Sequence, residues 1–244
     1  MIVLPVLDLL NGVVVRGVAG ERDQYRPLVS PLAESADPLT LARAFRTQFG
    51  LESLYIADLD AILAEAPNLK AYEALAAEGF RLYVDAGLRN LSTARQVHAA
   101  GAHILIAGLE SIPGPEFLGE LCSEFSPEGV VFSLDLKNGE PLTGPSAAWP
   151  ERSPEAIAAE AVARGVSQFI LLDLASVGVR RGVPTLELAS RIKARHPAVR
   201  IITGGGVRHR ADLQDLASAG IDGVLIASAL HDGRLTPADL QSDC

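Results

Sequence analysis

Eight short runs rich in Val, Ile, Leu and aromatic residues punctuate the chain, at 2–7, 53–57, 81–84, 103–106, 130–134, 168–172, 199–203 and 223–226. None alternates cleanly between apolar and polar residues, which is the pattern of strands buried on both faces of a parallel sheet. Longer segments of helical character lie between them. Asp37-Pro38 and Ser153-Pro154-Glu155 open two of these segments as an N-cap followed by a proline in the first turn. Strands that alternate with helices leave two architectures, a closed barrel or a doubly wound open sheet.

An internal repeat favours the barrel. Leu7-Asp8-Leu9-Leu10-Asn11-Gly12 recurs as Leu134-Asp135-Leu136-Lys137-Asn138-Gly139, and Ala57-Asp58-Leu59 recurs as Leu172-Asp173-Leu174. Ala86-Gly87-Leu88-Arg89 is echoed by Gly205-Gly206-Val207-Arg208, and Ala100-Gly101-Ala102 by Ala219-Gly220-Ile221. The pairs keep chain order, which describes two related halves of four strands each. The expected fold class is therefore α/β, a single (β/α)8 TIM barrel built from two half-barrels. With 244 residues, no linker and no low-complexity tract, residues 1–244 are expected to form one domain.

Composition narrows the partners. A net charge of -9 argues against a phosphate-backbone binder, so no nucleic acid is expected. The opening run Ile2–Leu7 is too short for a membrane span and is interrupted by Asp8, so no membrane partner is expected either. The two cysteines, Cys122 and Cys244, have no metal-ligand spacing and fit a reducing, cytoplasmic setting. Nothing in the chain speaks to its oligomeric state.

Barrel active sites lie at the C-terminal ends of the strands. Asp8 and Asp135 follow the first and fifth apolar runs and should face one another across the mouth. Such a pair can divide acid and base work if its environments separate the two pKa values, although a lone strand-end Asp commonly just caps the next turn. Asp58, Asp60, Asp85 and Asp173 also sit at strand ends, but no His or Glu joins them at ligand spacing, so no metal is expected. Thr203-Gly204-Gly205-Gly206-Val207-Arg208 follows strand seven and Ala227-Ser228-Ala229 follows strand eight. Glycines let backbone N–H groups approach an anion, and loops seven and eight are where barrels often hold phosphate. Gly204, Gly205, Gly206, Ala227 and Ser228 are thus the candidate phosphate site.

The matching place in the first half reads Asp85-Ala86-Gly87, with Ala107-Gly108-Leu109-Glu110 after strand four. An ionised Asp85 repels phosphate and suits a sugar hydroxyl or an amine instead, with Arg89 offsetting part of the charge. Loop one, from Gly17 to Pro27, mixes Gly, Arg and Tyr, and reads either as a lid over an anionic substrate or as a solvated surface loop. Trp149 is suited to stacking on a heterocycle or to anchoring its own Pro-rich loop.

These residues resemble a known family, the phosphoribosylformimino-5-aminoimidazole carboxamide ribotide isomerases of histidine biosynthesis. The resemblance spans nearly the whole chain. Its carriers include Leu7-Asp8-Leu9 with Asn11–Arg16, Ala57-Asp58-Leu59-Asp60 with Asn68, Leu134-Asp135, Trp149, Asp173-Leu174, Gly204–Val207 and Ala227–Leu230 with Gly233-Arg234. It implies a phosphate at each end of the substrate, an Amadori rearrangement after ribose ring opening, Asp8 as general base and Asp135 as general acid. It implies no metal and no redox cofactor. Arg16, Trp149, Asp173, Asp85 and Gly87 would join the glycine loop in holding substrate.

Three positions depart from that family's pattern. Asp85 replaces a phosphate-binding glycine, Leu172 stands where a threonine is usual, and loop one carries Tyr25-Arg26-Pro27. The cyclase subunit of imidazole glycerol phosphate synthase is also similar around Val15–Val18, but has a lysine where Arg16 stands, and arginine does not exchange a proton at neutral pH. Loop one is similar to isomerase-related proteins linked to methanopterin one-carbon metabolism. Three readings therefore stand: a histidine-pathway isomerase, a divergent paralogue on another phosphorylated substrate, and a barrel that binds a phosphorylated ligand without turnover.

Overall fold

A computed structural model describes residues 1–17, 21–144, 148–150, 152–177 and 183–241. Eight parallel strands form its centre: β1 (Ile2–Leu10), β2 (Ser53–Asp58), β3 (Arg81–Asp85), β4 (Ala102–Gly108), β5 (Val130–Lys137), β6 (Gln168–Asp173), β7 (Arg200–Gly204) and β8 (Gly223–Ile226). Each pairs with the next, and β8 closes on β1 through Ile2 opposite Gly223 and Leu4 opposite Leu225. The closed (β/α)8 barrel expected from the apolar runs is thus what the chain forms, each of its eight strands paired on both sides.

One main helix follows each of the first seven strands, α1 (Pro38–Phe49), α2 (Leu69–Ala77), α3 (Leu91–Ala99), α4 (Pro115–Phe125), α5 (Pro154–Ala163), α6 (Leu186–Arg195) and α7 (Arg210–Ser218), and a further short helix, Leu59–Ala64, lies between β2 and α2. Asp37 and Ser153 cap α1 and α5, accepting from the N–H groups of Thr40 and Ala156. After β8 the chain makes only short helices, Ser228–His231 and Pro237–Gln241. Among the described residues no helix is long and apolar enough to cross a membrane.

Because side chains alternate along a strand, each strand feeds two cores. The inner one, filling the barrel, is built from Leu4, Tyr55, Tyr83, Ile106, Val131, Ile170 and their neighbours. The outer one takes the intervening residues, such as Leu7, Ile56, Val84, Phe132 and Phe169, against the helices.

Most strands run a residue or two past the sequence reading, and two outrun it by three. β1 continues to Leu10 and turns into the antiparallel strand Val13–Arg16; β5 continues to Lys137 and turns into Glu140–Pro141. Both turns are Asn-Gly with positive φ at both residues (53° and 74° at Asn11-Gly12, 55° and 82° at Asn138-Gly139), the geometry of a tight hairpin. Asp8 and Asp135 therefore lie inside continuous strands rather than at their ends. The half-barrel repeat is visible here as a hairpin after the first strand of each half.

Candidate active site

Parity decides which strand-end carboxylates reach the mouth. Asp8 on β1 pairs with Ala57, Ala57 with Asp85, and Asp135 with Leu172, so these positions share the inward face. Asp58 and Asp173 come one residue later and point the other way. A single pocket at the mouth is lined by Asp8, Asp85, Glu110 and Asp135, by Tyr55 beneath them, and by Gly205, Gly206, Ala227 and Ser228 to one side.

Asp135 is buried and accepts a hydrogen bond from Ser133 Oγ at 2.8 Å. Asp85 accepts from the Gly87 N–H at 3.0 Å. Both carboxylates lie within 4 Å of the place a Cβ on Gly108 would occupy, so they face each other across that glycine. Gly17, at the entry to loop one, approaches Asp8 so closely that a Cβ there would stand 2.7 Å from Asp8 Oδ2. The hairpin thus walls in the Asp8 carboxylate. Burial, then the charges of Asp85, Asp135, Asp8 and Glu110, push the Tyr55 hydroxyl well above its ordinary pKa, so it stays protonated.

The opposite end of the pocket has a different character. Gly205 and Gly206 have φ of 78° and 90°, a backbone that L side chains avoid. The N–H groups of Gly206 and Ser228 donate to no protein acceptor among the described residues. Arg234 holds Ser228 Oγ at 3.1 Å, and Asp232 bridges Arg234 and Arg16 at 3.3 and 2.6 Å. Free backbone donors flanked by two guanidinium groups suit a phosphate. Gly204 itself sits within β7, tight against Leu225, and leaves the donor role to the two glycines after it.

Three expected ligand-binding residues are placed elsewhere. Asp173 is buried outside the pocket, and its carboxylate accepts from the N–H groups of Asn138, Gly139 and Ala175, tying the second hairpin to β6. Trp149 stacks on Phe132 at 5.6 Å between ring centroids, in the helix-side core, because Phe132 belongs to the outward set of β5. Gly87 forms the turn after β3 and does not line the pocket. Asp58 and Asp60 likewise serve the backbone, accepting from Ala61 and Asn68 and from Asn11. Arg16 does line the pocket, at its rim. In loop one, Arg22–Gln24 form a 3-10 turn and Arg26–Pro27 pair with the hairpin, while residues 18–20 lie outside the described residues, as does Gly178 after β6. Among the described residues no group of His, Cys, Asp and Glu is arranged to hold a metal.

Sequence reasoning missed Tyr55, Glu110 and His231 as pocket residues. Tyr55 read as part of an apolar run; only its being two residues before Ala57, and so on the inward face, marks it. His231 is buried, lines the pocket and shares a hydrogen bond with Ser30 Oγ at 2.9 Å. Burial, and secondarily the charge of Arg16, lower its pKa to about 4. Its folded value lies below its unfolded value near 6.5, so the unfolded chain binds the extra proton between those limits. Stability is therefore full above pH ~6.5 and falls by roughly 3 kcal/mol as pH drops towards 4. Denaturant titrations across that window should show a flatter dependence for His231→Gln; an unchanged slope would mean other groups set it.

A family model described as histidine biosynthesis protein matches residues 2–236. An uncharacterized protein of Methanocaldococcus jannaschii is 32% identical over 240 residues, covering 96% of this chain and 95% of its own. The 1-(5-phosphoribosyl)-5-(5-phosphoribosylamino)methylideneamino-imidazole-4-carboxamide isomerase of Syntrophomonas wolfei is 32% identical over 244 residues, covering 98% and 96%. The isomerase of the same name from a Synechococcus species is 33% identical over 243 residues, covering 96% and 90%.

Proposed function

This chain belongs to the histidine biosynthesis protein family, and from that premise we propose that it is an intramolecular aldose–ketose isomerase acting on a phosphorylated ribosylamine. The observation that carries the reading is one pocket in which Asp8 and Asp135, from opposite halves of the barrel, meet the Gly205–Gly206 turn. The glycine turn, Ser228 and Arg234 hold the substrate phosphate. Asp135 protonates the ribose ring oxygen, and the ring opens to an imine. Asp8 removes the proton from the adjacent carbon, the enolamine reprotonates at the former anomeric carbon, and a ketose results. The two carboxylates need opposite protonation states at the start. Asp135, the more deeply buried of the two, is assigned the acid role.

The relatives named as isomerases act, by their names, on a substrate with two phosphoribosyl groups. The test is a panel of N-substituted 5-phosphoribosylamines, including that ribotide, incubated with protein in D2O. Ketose formation with deuterium at the former anomeric carbon, lost in Asp8→Asn, is the expected result. A panel that yields no ketose, with phosphate still bound, would leave the barrel as a binding protein and sink the enzymatic reading.

A further inference from the structure

Loop one has no part in the chemistry above, yet its tyrosine reaches the base. On the reading of the pocket as an isomerase site with Asp8 as its base, we propose that Tyr25 is a positioning residue for Asp8. The Tyr25 hydroxyl donates to the Asp8 carboxylate and holds it in the orientation from which it takes a proton.

A built structure delivers Tyr25 to the mouth. The strand Val13–Arg16 pairs with β1 on one side and with Arg26–Pro27 on the other, Val15 opposite Pro27 and Arg16 opposite Arg26. The Leu28 N–H donates to Val14 O at 2.9 Å and carries this edge onward. Arg26 Nη1 donates to Tyr25 O at 2.8 Å and to Asp23 O at 3.0 Å, which fixes the backbone at Tyr25. Proline lacks an N–H and suits an edge strand. Arg26 and Pro27 thus build the edge of the hairpin, while Tyr25 lines the pocket. The Tyr25 side chain packs with Leu10 and Val13 on the cluster of Val15, Leu59 and Ile62, which covers the mouth beside Asp8.

Gly17 is where the two residues meet. A Cβ there would stand 2.7 Å from Asp8 Oδ2, 3.5 Å from Tyr25 Oη and 3.7 Å from Tyr25 Cζ. The carboxylate and the hydroxyl end of the tyrosine therefore face the same point. Gly17 has no positive φ, so its backbone conformation does not require glycine. What leaves no room for a side chain is the approach of Asp8, with Tyr25 next to it. An Asp carboxylate turns freely about its last bond unless a donor fixes one oxygen, and a phenol on a packed ring is such a donor. A donor to the charged form also favours the ionised state that a base needs.

The first readout needs no substrate. The whole protein, labelled with 13C at its aspartate carboxyls, is titrated by NMR, and the Asp8 signal is assigned by its loss in Asp8→Asn. Asp85, Glu110, Asp135, Tyr55, Arg16 and His231 share the pocket with Asp8, so the Asp85 and Asp135 signals are internal controls. Tyr25→Phe keeps the ring and its packing and removes only the hydroxyl. It should raise the Asp8 midpoint by about one pH unit and leave Asp85 and Asp135 within ~0.2 unit. On a ribosylamine that the protein isomerises, the same variant should lower kcat by about tenfold and leave KM within about twofold.

An Asp8 midpoint that stays put overturns the proposal. So does one that moves together with Asp85 and Asp135, which is a loosened mouth rather than a lost contact. A raised KM with kcat unchanged overturns it too, and makes Tyr25 a binding residue. If the midpoint moves as expected and no ribosylamine yields a ketose, the isomerase reading falls while the contact between Tyr25 and Asp8 stands. If a ketose forms and the midpoint stays, only the proposal falls.

Discussion

Asp135→Asn is expected to lower turnover by about a thousandfold, within the range for removing a general acid, while leaving phosphate affinity within twofold. The amide keeps the size of the carboxyl group, and its oxygen still accepts from Ser133 Oγ, which lies 2.8 Å from Asp135 Oδ1. What it cannot do is give up a proton to a ring oxygen. Asp135 sits on β5, two strands along the barrel from the Gly205–Gly206 turn that follows β7, and touches none of its backbone donors, so phosphate binding should barely register the change. Single-turnover rates and phosphate titrations on one preparation separate the two effects. A rate within tenfold of the parent would remove Asp135 from the acid role. A parallel loss of phosphate affinity would make it a binding residue. With Asp8→Asn added, the loss should barely deepen, because two groups serving one proton-transfer sequence are not additive.

The largest expected loss of stability is at a residue with no place in the chemistry. Asp58 is fully buried on the outward side of β2. Its carboxylate accepts from Ala61 N at 3.1 Å, Asn68 N at 2.7 Å, Asn68 Nδ2 at 2.8 Å and the Tyr72 hydroxyl. It thereby holds the short helix Leu59–Ala64 and the start of α2 on the end of the strand. Asp58→Ala strands two buried N–H groups, a side-chain amide and a phenol at once. With about 1–3 kcal/mol for each unsatisfied group, and partial rescue by entering water, a net cost of about 4 kcal/mol follows. Urea denaturation should show it as a lower midpoint, and the melting temperature should drop by roughly 8–16 °C. A cost below about 1 kcal/mol would mean that the turn reorganises freely around the loss.

The two Asp residues of Ala57-Asp58 and Asp85-Ala86 look alike in the chain, yet one is structural and the other lines the pocket. The difference is strand parity. Ala57 and Asp85 are register partners on the inward face, and Asp58 follows Ala57 by one residue. Sequence places strands to within a residue or three, but a one-residue uncertainty exchanges the two faces of a strand. That is why Asp173 was expected in the pocket and is found capping a turn, and why Tyr55 was passed over. Asp8 and Asp135 were legible because each follows an apolar run at the same position of the internal repeat, which puts them on equivalent points of β1 and β5. The glycine loop was legible for a local reason too: consecutive positive φ values at Gly205 and Gly206 are within easy reach of glycine alone.

Trp149 shows the limit from the other side. Its aromatic ring suits a heterocycle or a core equally, and the choice depends on Phe132 presenting its ring outward at the right height. No spacing in the chain encodes that. The eight-strand count, the helical intervals, the two-half repeat, the glycine turn after β7 and the paired aspartates of β1 and β5 follow from local residue pattern, because apolar runs and glycine conformations are properties of short segments. Which carboxylates share one pocket, which serve only as caps, and how Tyr55, Asp85 and Glu110 come together at the end away from the phosphate turn were decided by closure of the barrel. Closure is a condition on the register of all eight strands at once, and it brings together residues from strands far apart in the chain.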